Sequence, residues 1–358
     1  MPIDFIFNRQ STDSSLFEKL LAVNFDTGAL RPWRSTKDGR SYVTLTQKDG
    51  KKKNVLTNAA ATLTKDAWKM LDTAVMRAAR MRLRAVVDIR TAGLTFNIPN
   101  GMGTTVLEYQ KMSDTNDAHI SMDGLALGQN DRPTVESAFL PLPIIHKDFQ
   151  FSAREIATGR NTNMPLDTSM GEGAGFKIGE LTEKLLLGRH STYKFGGGVI
   201  YGMTNFPGRL TKTITAPNAT GWTPQIHLDE VLDMRQTSQT YKHYGPWTLY
   251  YSTAWDKYLD GNFTTAYPKS LRARLKEIDG INDVKTLDFL DSATSTYNVV
   301  LLEMSPLTVR LVIGMEVQTL EWETVGGLLK NYKAMCIIIP QLRADVDGNT
   351  GIVHGATA

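Results

Sequence analysis

The longest helical pattern of apolar residues in this chain covers residues 169–187. Its apolar side chains recur at helical spacing, as on one side of an amphipathic helix: Phe176, Leu181 and the adjacent pair Leu185 and Leu186. Glu172 stands three residues after Ser169, in the position of a capping box, and Gly188 follows as a helix-ending residue. The pattern predicts one long helix with both ends marked.

Three glycines, Gly171, Gly175 and Gly179, share one face of this helix because they recur every four residues. Each glycine costs about 1 kcal/mol relative to alanine in a helix interior. We therefore expect another part of the subunit, or another subunit, to pack closely against this bare face. We call residues 169–187 the spine helix.

Period-two patterns predict strands before the spine helix. In residues 141–155, Phe149 and Phe151 alternate with polar side chains, as in a half-buried strand. Residues 39–58 predict a short hairpin inside an N-terminal stretch, residues 1–62, that has no convincing core. That stretch is either a flexible tail or an arm that becomes ordered on another chain.

Residues 63–89 predict a helix followed by a strand. Thr64 is the expected N-cap and Asp66 the acidic residue of the first turn. Arginines crowd the second half of this pattern: Arg77, Arg80, Arg82 and Arg84. A basic helix face is usually solvated, and the alternative is a weak contact with phosphates.

Residues 96–140 have few apolar side chains for their length. Folded as a hairpin, each arm of roughly 20 residues would reach about 65 Å at about 3.3 Å per residue. A compact chain of this size has a radius of gyration of only about 20 Å. We expect this segment either to be disordered or to lie across a neighbouring subunit.

The second half of the chain predicts helices over residues 226–241 and 271–278, and strands that include residues 311–323. Helices around a small sheet, followed by strands that return to the first part, predict an α+β fold. Residues 343–358 predict a disordered C-terminal tail.

Composition narrows the function classes. The 41% hydrophobic and 22% charged residues are ordinary for a soluble globular protein, and a net charge of +3 makes no case for nucleic-acid binding. Cys336 is the single cysteine, expected in a core strand. No apolar run approaches the ~20 residues of a membrane span, and the N-terminus lacks signal-peptide features, so we expect a cytoplasmic product without membrane contact.

Candidate catalytic chemistry is sparse. The histidines have no metal-type spacing, and we expect each to be a surface or capping residue. The glycine-rich run at 171–175 lacks the spacing of a dinucleotide loop, and the acidic run at 345–351 lacks the glycine and glutamate of a calcium loop. We predict no cofactor, no metal site and no enzymatic activity.

These segments, taken together, resemble the major capsid proteins of tailed bacteriophages, in the capsid fold that encapsulin nanocompartments share. The stretches that carry the resemblance are LTKDAWKMLDTAVMRAARMRLRAVVDIRTAG, PLPIIHKDFQFSAREIATGR, PLDTSMGEGAGFKIGELTEKLLLGR, GVIYGMTNFPGR, YGPWTLYYSTAWDKYL and LVIGMEVQTLEWE. They follow the family's order across residues 63–342.

The resemblance implies a division of the chain. Its parts are an N-terminal arm (1–62), the first helix and strand of a peripheral domain (63–95), an extended loop (96–140), the rest of the peripheral domain (141–210, with the spine helix at 169–187), an axial domain (211–306), returning strands (307–342) and a C-terminal tail (343–358). The implied function is self-assembly, through pentamers and hexamers, into an icosahedral head around double-stranded DNA. The implied partners are scaffold, portal and decoration proteins, and the implied location is the virion capsid, assembled in the host cytoplasm.

The expected subunit contacts are Glu108, Tyr109 and Lys111 on the loop and Glu172, Lys177 and Glu180 on the spine helix. The candidate inner-face DNA contacts are Arg77, Arg80 and Arg84. The alternative is an encapsulin-type shell around a protein cargo, which the sixty or so residues before the first family helix disfavour. Crosslinking is not predicted, because Lys111 has no identifiable acceptor.

Overall fold

The computed structural model describes residues 31–46, 51–57, 63–82, 84–113, 120, 122, 132–156, 169–264, 268–291, 296–324 and 328–357. The helices are α1 (Lys65–Arg82), α2 (Arg84–Thr91), α3 (Ser169–Leu187), α4 (Pro224–Thr240), α5 (Asp256–Leu259) and α6 (Leu271–Lys276). The strands are β1 (Trp33–Arg34), β2 (Ser41–Thr46), β3 (Lys52–Leu56), β4 (Thr95–Asn97), β5 (Val106–Met112), β6 (Val135–Pro141), β7 (Ile145–Ser152), β8 (Tyr193–Phe195), β9 (Gly198–Ile200), β10 (Leu210–Ile214), β11 (Trp247–Ser252), β12 (Ile281–Leu287), β13 (Val299–Glu303), β14 (Val309–Thr324), β15 (Leu329–Leu342) and β16 (Ile352–Thr357). The predicted α+β class is confirmed.

Helix α3 is the predicted spine helix, and its neighbour belongs to the same chain. A Cβ added to Gly175 would lie 2.3 Å from the carbonyl oxygen of Val75, and one added to Gly179 would lie 2.6 Å from that of Ala79. Both carbonyls belong to α1, so only glycine allows the two helix backbones to approach this closely. The expected close neighbour is therefore α1.

Helices α1 and α3 pack on a four-stranded sheet of order β4-β14-β15-β7. Tyr332 on β15 stacks on Phe149 at 5.4 Å and meets the Trp68 ring edge-on at 6.0 Å. Strand β7 ends at Ser152 rather than at residue 155. There Glu155 accepts a hydrogen bond from the Ser152 amide at 2.8 Å, and the Ser152 hydroxyl accepts one from the Glu155 amide at 3.1 Å, a capping box that starts a helical turn.

A second sheet has five strands in the order β10-β16-β13-β11-β12. Strand β16 comes from the C-terminal segment and pairs parallel to β10 and antiparallel to β13, with Val353 opposite both Leu210 and Leu301. Ile352 and Val353 are fully buried. The predicted disordered tail at 343–358 is wrong, because its apolar end completes the middle of a sheet.

The predicted strand at the end of residues 63–89 is also wrong, because Arg84–Thr91 forms helix α2. The Glu183 carboxylate of α3 accepts hydrogen bonds from the amides of Ala85 at 2.9 Å and Val86 at 3.4 Å. These amides lie in the first turn of α2, where helix N–H groups have no partner of their own. The side chain of Glu183, distant along the chain, thus caps a helix whose sequence contains β-branched residues. The first strand after this helix is β4.

The predicted N-terminal hairpin is confirmed as β2 and β3, with β1 as a third strand. This small sheet contacts α1, since the Trp68 indole donates to the Pro32 carbonyl at 2.9 Å and the Lys65 ammonium lies 4.0 Å from the Trp33 ring centre. This part of the predicted arm therefore packs on its own chain, while residues 1–30 lie outside the described residues. None of the described helices is long and apolar enough to cross a membrane.

Candidate assembly surfaces

The predicted extended hairpin is formed by β5 and β6, which pair from Val106 opposite Pro141 to Met112 opposite Val135. The ladder continues one step further, where the Ser113 amide donates to the Thr134 carbonyl at 2.9 Å. Beyond this step, most of the segment up to residue 131 lies outside the described residues. Strand pairing is confirmed over residues 106–113 and 134–141. The predicted segment begins too early, because residues 95–97 form β4 of the four-stranded sheet, and the reach of the hairpin across a neighbour stays a prediction.

Large apolar side chains of this hairpin are exposed. Met112 and Val135, which face each other across the two strands, are 57% and 50% exposed, and Phe139 is 40% exposed. The hairpin formed by β8 and β9 lies against β6, where Gly198 approaches the Phe139 carbonyl. Phe195 of β8 is exposed as well. Exposed apolar groups on a surface often form contact sites, and a contact of this hairpin with another subunit stays a prediction.

The three predicted contact residues of the hairpin do not form one surface. Glu108 is exposed, whereas Tyr109 and Lys111 point to the other face, since strand side chains alternate. Tyr109 and Lys111 line a cavity of about 450 Å³, together with Asp345 of the turn before β16. Burial raises the pKa of the Tyr109 hydroxyl. The nearby Gln341 side chain and the positive charges of Arg343 and Arg310 lower that pKa, but by less.

The predicted contact residues of the spine helix are partly occupied within the chain. Glu172 forms an ion pair with Arg77 of α1 at 3.2 Å, and Lys177 forms one with Glu180 at 2.9 Å. The Lys177 side chain is 65% exposed, and that of Glu180 only 17%. The structure thus joins Arg77, a candidate DNA contact, to Glu172, a candidate subunit contact, which the sequence did not indicate.

The three candidate DNA contacts lie on two helices. The Arg77 side chain is 71% exposed on α1, whereas Arg84 begins α2 and donates to the Thr286 carbonyl of β12 at 3.2 Å. Arg80 lies within α1, and its side chain is outside the described residues. A contact of these residues with DNA stays a prediction.

The expectation that each histidine lies at the surface or in a cap is wrong for two of them. His227 is fully buried, between the Tyr251 hydroxyl at 2.9 Å and the Glu230 carboxylate at 3.2 Å. His354 is buried in β16, and burial lowers its pKa to about 4. The sequence signal for this burial is the aromatic strand WTLYYS, which contains Tyr251 and in which every residue is buried.

Metal ligation and a reactive thiol are two further kinds of chemistry that side chains can supply. Within the described ranges, no group of three or more His, Cys, Asp or Glu side chains could hold a metal ion. Cys336 is buried in β15 as predicted, and burial raises the pKa of its thiol to about 12. A thiol in that state is unreactive near neutral pH.

Comparison with known families decides the assignment. Residues 58–355 match a family model described as "Family of unknown function (DUF6260)". The chain belongs to this family. Among curated proteins it is similar to the type 1 encapsulin shell protein EncA of Myxococcus xanthus, with 24% identity over 200 residues. That match covers 54% of this chain and 62% of the relative, so the chain spans less than two thirds of its length.

Solved structures extend the likeness to most of the chain. The virus-like particle from Pyrococcus furiosus matches with a TM-score of 0.56 at 17% identity, over 80% of this chain and 98% of that one. The capsid of Myoviridae phage XM1 matches with a TM-score of 0.54 at 11% identity, over 75% and 91%. The DUF6260 chain therefore has the capsid fold of tailed phages and encapsulin-like particles, and the predicted fold is confirmed.

Proposed function

We propose that this chain is the major capsid protein of a tailed phage, which self-assembles into an icosahedral head around double-stranded DNA. The observation that carries the proposal is the match to the phage XM1 capsid, which covers 75% of this chain and 91% of that one. With a TM-score of 0.54, a likeness this extensive supports a shared shell-subunit fold over most of both chains. The proposed role is structural and non-enzymatic.

The mechanism of assembly is geometric. Many copies of one surface meet head to tail around rings, and ring closure stabilises the shell more than any single contact does. The β5–β6 hairpin supplies one side of the contact, through Glu108 and the exposed pair Met112 and Val135. Lys177, exposed on the spine helix, is a second contact point.

The proposal includes a division of the chain into domains. We assign residues 141–210 to a peripheral domain and residues 211–306 to an axial domain that surrounds the symmetry axes. Strand β16 belongs with the axial domain, because it lies between β10 and β13. The pentamers and hexamers of a closed shell then differ by small changes in the angle of the hairpin and of residues 1–62.

The proposed partners are the packaged DNA and the proteins that a phage head requires. Arg77, with an exposed guanidinium, offers a weak and non-specific phosphate contact, and Arg80 and Arg84 are the further candidates. Scaffold, portal and decoration proteins are proposed by analogy with tailed-phage heads. Assembly is proposed to take place in the host cytoplasm, and the finished protein to lie in the virion.

An encapsulin-type shell around a protein cargo is the second candidate. It is favoured by the 24% identity to EncA and by the match to the Pyrococcus furiosus virus-like particle. Both candidates predict shells, and they differ in what the shell encloses. A phage head holds DNA, whereas an encapsulin holds a protein and purifies with it.

Negative-stain electron microscopy of the purified full-length protein tests the proposal. We expect closed particles, or rings of five and six subunits. A uniform small oligomer that forms neither rings nor shells, even under crowding, would contradict both candidates. The absorbance ratio at 260 and 280 nm and the protein composition of particles from a native source then separate a DNA-filled head from a cargo shell.

A further inference from the structure

Two arginines lie side by side where the long strands β14 and β15 meet the second sheet. Arg310 is directly opposite Gln341 across the two strands, and its Nε donates to the Gln341 side-chain oxygen. Arg343 follows two residues later, held by a hydrogen bond from its backbone amide to the Thr308 carbonyl at 2.9 Å. Both side chains are half-buried.

Neither guanidinium has a carboxylate within ion-pair distance among the described residues. Arg310 lies 4.4 Å from the Phe96 ring centre, and Arg343 donates to the Pro306 carbonyl at 3.2 Å. Burial lowers the pKa of Arg310, and the neighbouring positive charge of Arg343 lowers it further. By contrast, Arg272 is equally sheltered and has carboxylates at 2.8 and 2.9 Å. Two adjacent, half-buried cations without a counter-ion are unusual, since buried charge is normally paired.

The Gln341 side chain adds a buried donor to the same place. Gln341 is 1% exposed, and its Nε2 makes no hydrogen bond of normal geometry among the described residues, although it lies close enough to the Tyr109 hydroxyl to lower the pKa of that group. The Tyr109 side chain of β5 lines the same cavity as Gln341, and it is half-buried there. An unsatisfied buried amide is costly unless a partner arrives. Guanidinium and amide groups all donate hydrogen bonds, so the ligand that completes the site is an oxyanion.

The chain itself contains a segment of complementary charge. Residues 113–131, most of the stretch between the two strands of the extended hairpin, include four aspartates, Asp114, Asp117, Asp123 and Asp131, and no lysine or arginine, and Arg132 follows them. In the proposed function this hairpin meets another copy of the subunit. We propose that the site formed by Arg310, Arg343 and Gln341 binds an aspartate carboxylate from residues 113–131 of a second copy of this chain.

This inference rests on the proposed function, and a double-mutant cycle tests it on the full-length protein. One variant combines Arg310→Gln with Arg343→Gln, a second replaces the four aspartates by asparagine, and a third combines both sets. We expect each of the first two to raise the protein concentration needed for shell formation about tenfold or more, the effect of about 1.4 kcal/mol per contact. The third should be no worse than either, because partners in one contact are not additive.

A matched control is Arg235→Gln. Like Arg343, Arg235 donates one hydrogen bond to a backbone carbonyl, that of Asp279 at 3.0 Å. We expect Arg343→Gln to impair shell formation and Arg235→Gln to leave it unchanged. If the arginine variants lose their fold by circular dichroism, the asparagine variant still decides, since it changes none of the residues that form the site.

Three results would overturn the proposal. One is normal assembly of the asparagine variant, and another is a fully additive effect in the combined variant. The third is normal shell formation by the arginine variants with less bound nucleic acid, which would assign the site to a phosphate. If the wild-type protein forms no shells, the proposed function itself fails. A synthetic peptide of residues 113–131 then tests the site alone, with tighter binding expected for wild type than for Arg343→Gln.

Discussion

The spine helix and the extended hairpin each have a surface that their own residues do not cover, and they differ in what covers it. The bare glycine face of α3 is covered by α1 of the same chain, with a Cβ at Gly175 only 2.3 Å from a backbone oxygen. In the hairpin, Met112 is 57% exposed and Val135 is 50% exposed. The first region is completed by folding, and in the proposed function the second is completed by assembly. Substitutions in the two regions should therefore affect different measurements.

The largest effect on stability should come from Gly175→Val. The added side chain meets the Val75 carbonyl, which is backbone and cannot move aside, so α1 and α3 must separate. We expect the free energy of unfolding to fall by about 3 kcal/mol or more in urea titrations. Gly173→Ala is the control, because nothing lies within 4 Å of its added Cβ. It should stabilise the helix by about 1 kcal/mol, and equal losses in both variants would contradict the packing.

The next effect concerns Glu183, on the buried side of α3. Burial raises its pKa from 4.5 to about 7, so the folded protein holds a proton that the unfolded chain releases above pH 4.5. Stability should therefore fall as pH rises from about 4.5 to about 7, by up to about 3 kcal/mol, and then level off. Glu183→Gln should flatten this decline in thermal melts across that range. A decline of unchanged size in the variant would assign it to other groups.

A smaller effect on stability, with a complete loss of assembly, is expected from removing the hairpin tip. Residues 113–134 would be replaced by Asn-Gly, which joins Met112 and Val135 in a two-residue turn. Because the removed part includes only one described step of the ladder, the exposed Ser113–Thr134 contact, the free energy of unfolding should change by less than about 1 kcal/mol. Electron microscopy should show soluble subunits and no closed shells. Normal shells would refute the assembly role of the hairpin.

The smallest effect on stability is expected for Met112→Ser combined with Val135→Ser. Both side chains are exposed, so the free energy of unfolding should change by no more than about 0.5 kcal/mol. Shell yield at a fixed protein concentration should nevertheless fall, as measured by sedimentation. Ile226→Ser, at an exposed apolar position on α4, is a control for the loss of surface hydrophobicity. A drop in yield equal to that of the control would remove the special role of the hairpin.

Local patterns were sufficient where a segment carries both its apolar stripe and its end signals. The spine helix was predicted over the residues that form it, and the hairpin of β2 and β3 was predicted from its alternation and its turn. Thr64 caps α1 as expected, accepting a hydrogen bond from the Ala67 amide at 3.2 Å. In each case the decisive interactions lie within a few residues along the chain. Such interactions are visible in the sequence.

The wrong predictions concern segments that depend on at least one partner distant along the chain. Residues 84–91 form a helix because Glu183, about a hundred positions away, accepts their free amides. Ile352–Thr357 form a strand because β10 and β13 lie on either side of them. His227 is buried because Tyr251, on the separate strand β11, joins Glu230, one turn along α4, in satisfying its ring nitrogens. None of these partners can be identified from local periodicity.

Three features of this protein could be predicted from its sequence. They are the type of each element that has strong local signals, the α+β class and, through collinear motifs, the capsid fold. The sequence also indicated that the glycine face of α3 needs a close neighbour, because three helix-interior glycines are costly without one. Only the tertiary structure decided that this neighbour is α1, that the C-terminal segment completes a sheet, and that Arg310 and Arg343 stand together. Those outcomes depend on which distant backbones and charges come within contact distance, and contact distance is a property of the folded chain.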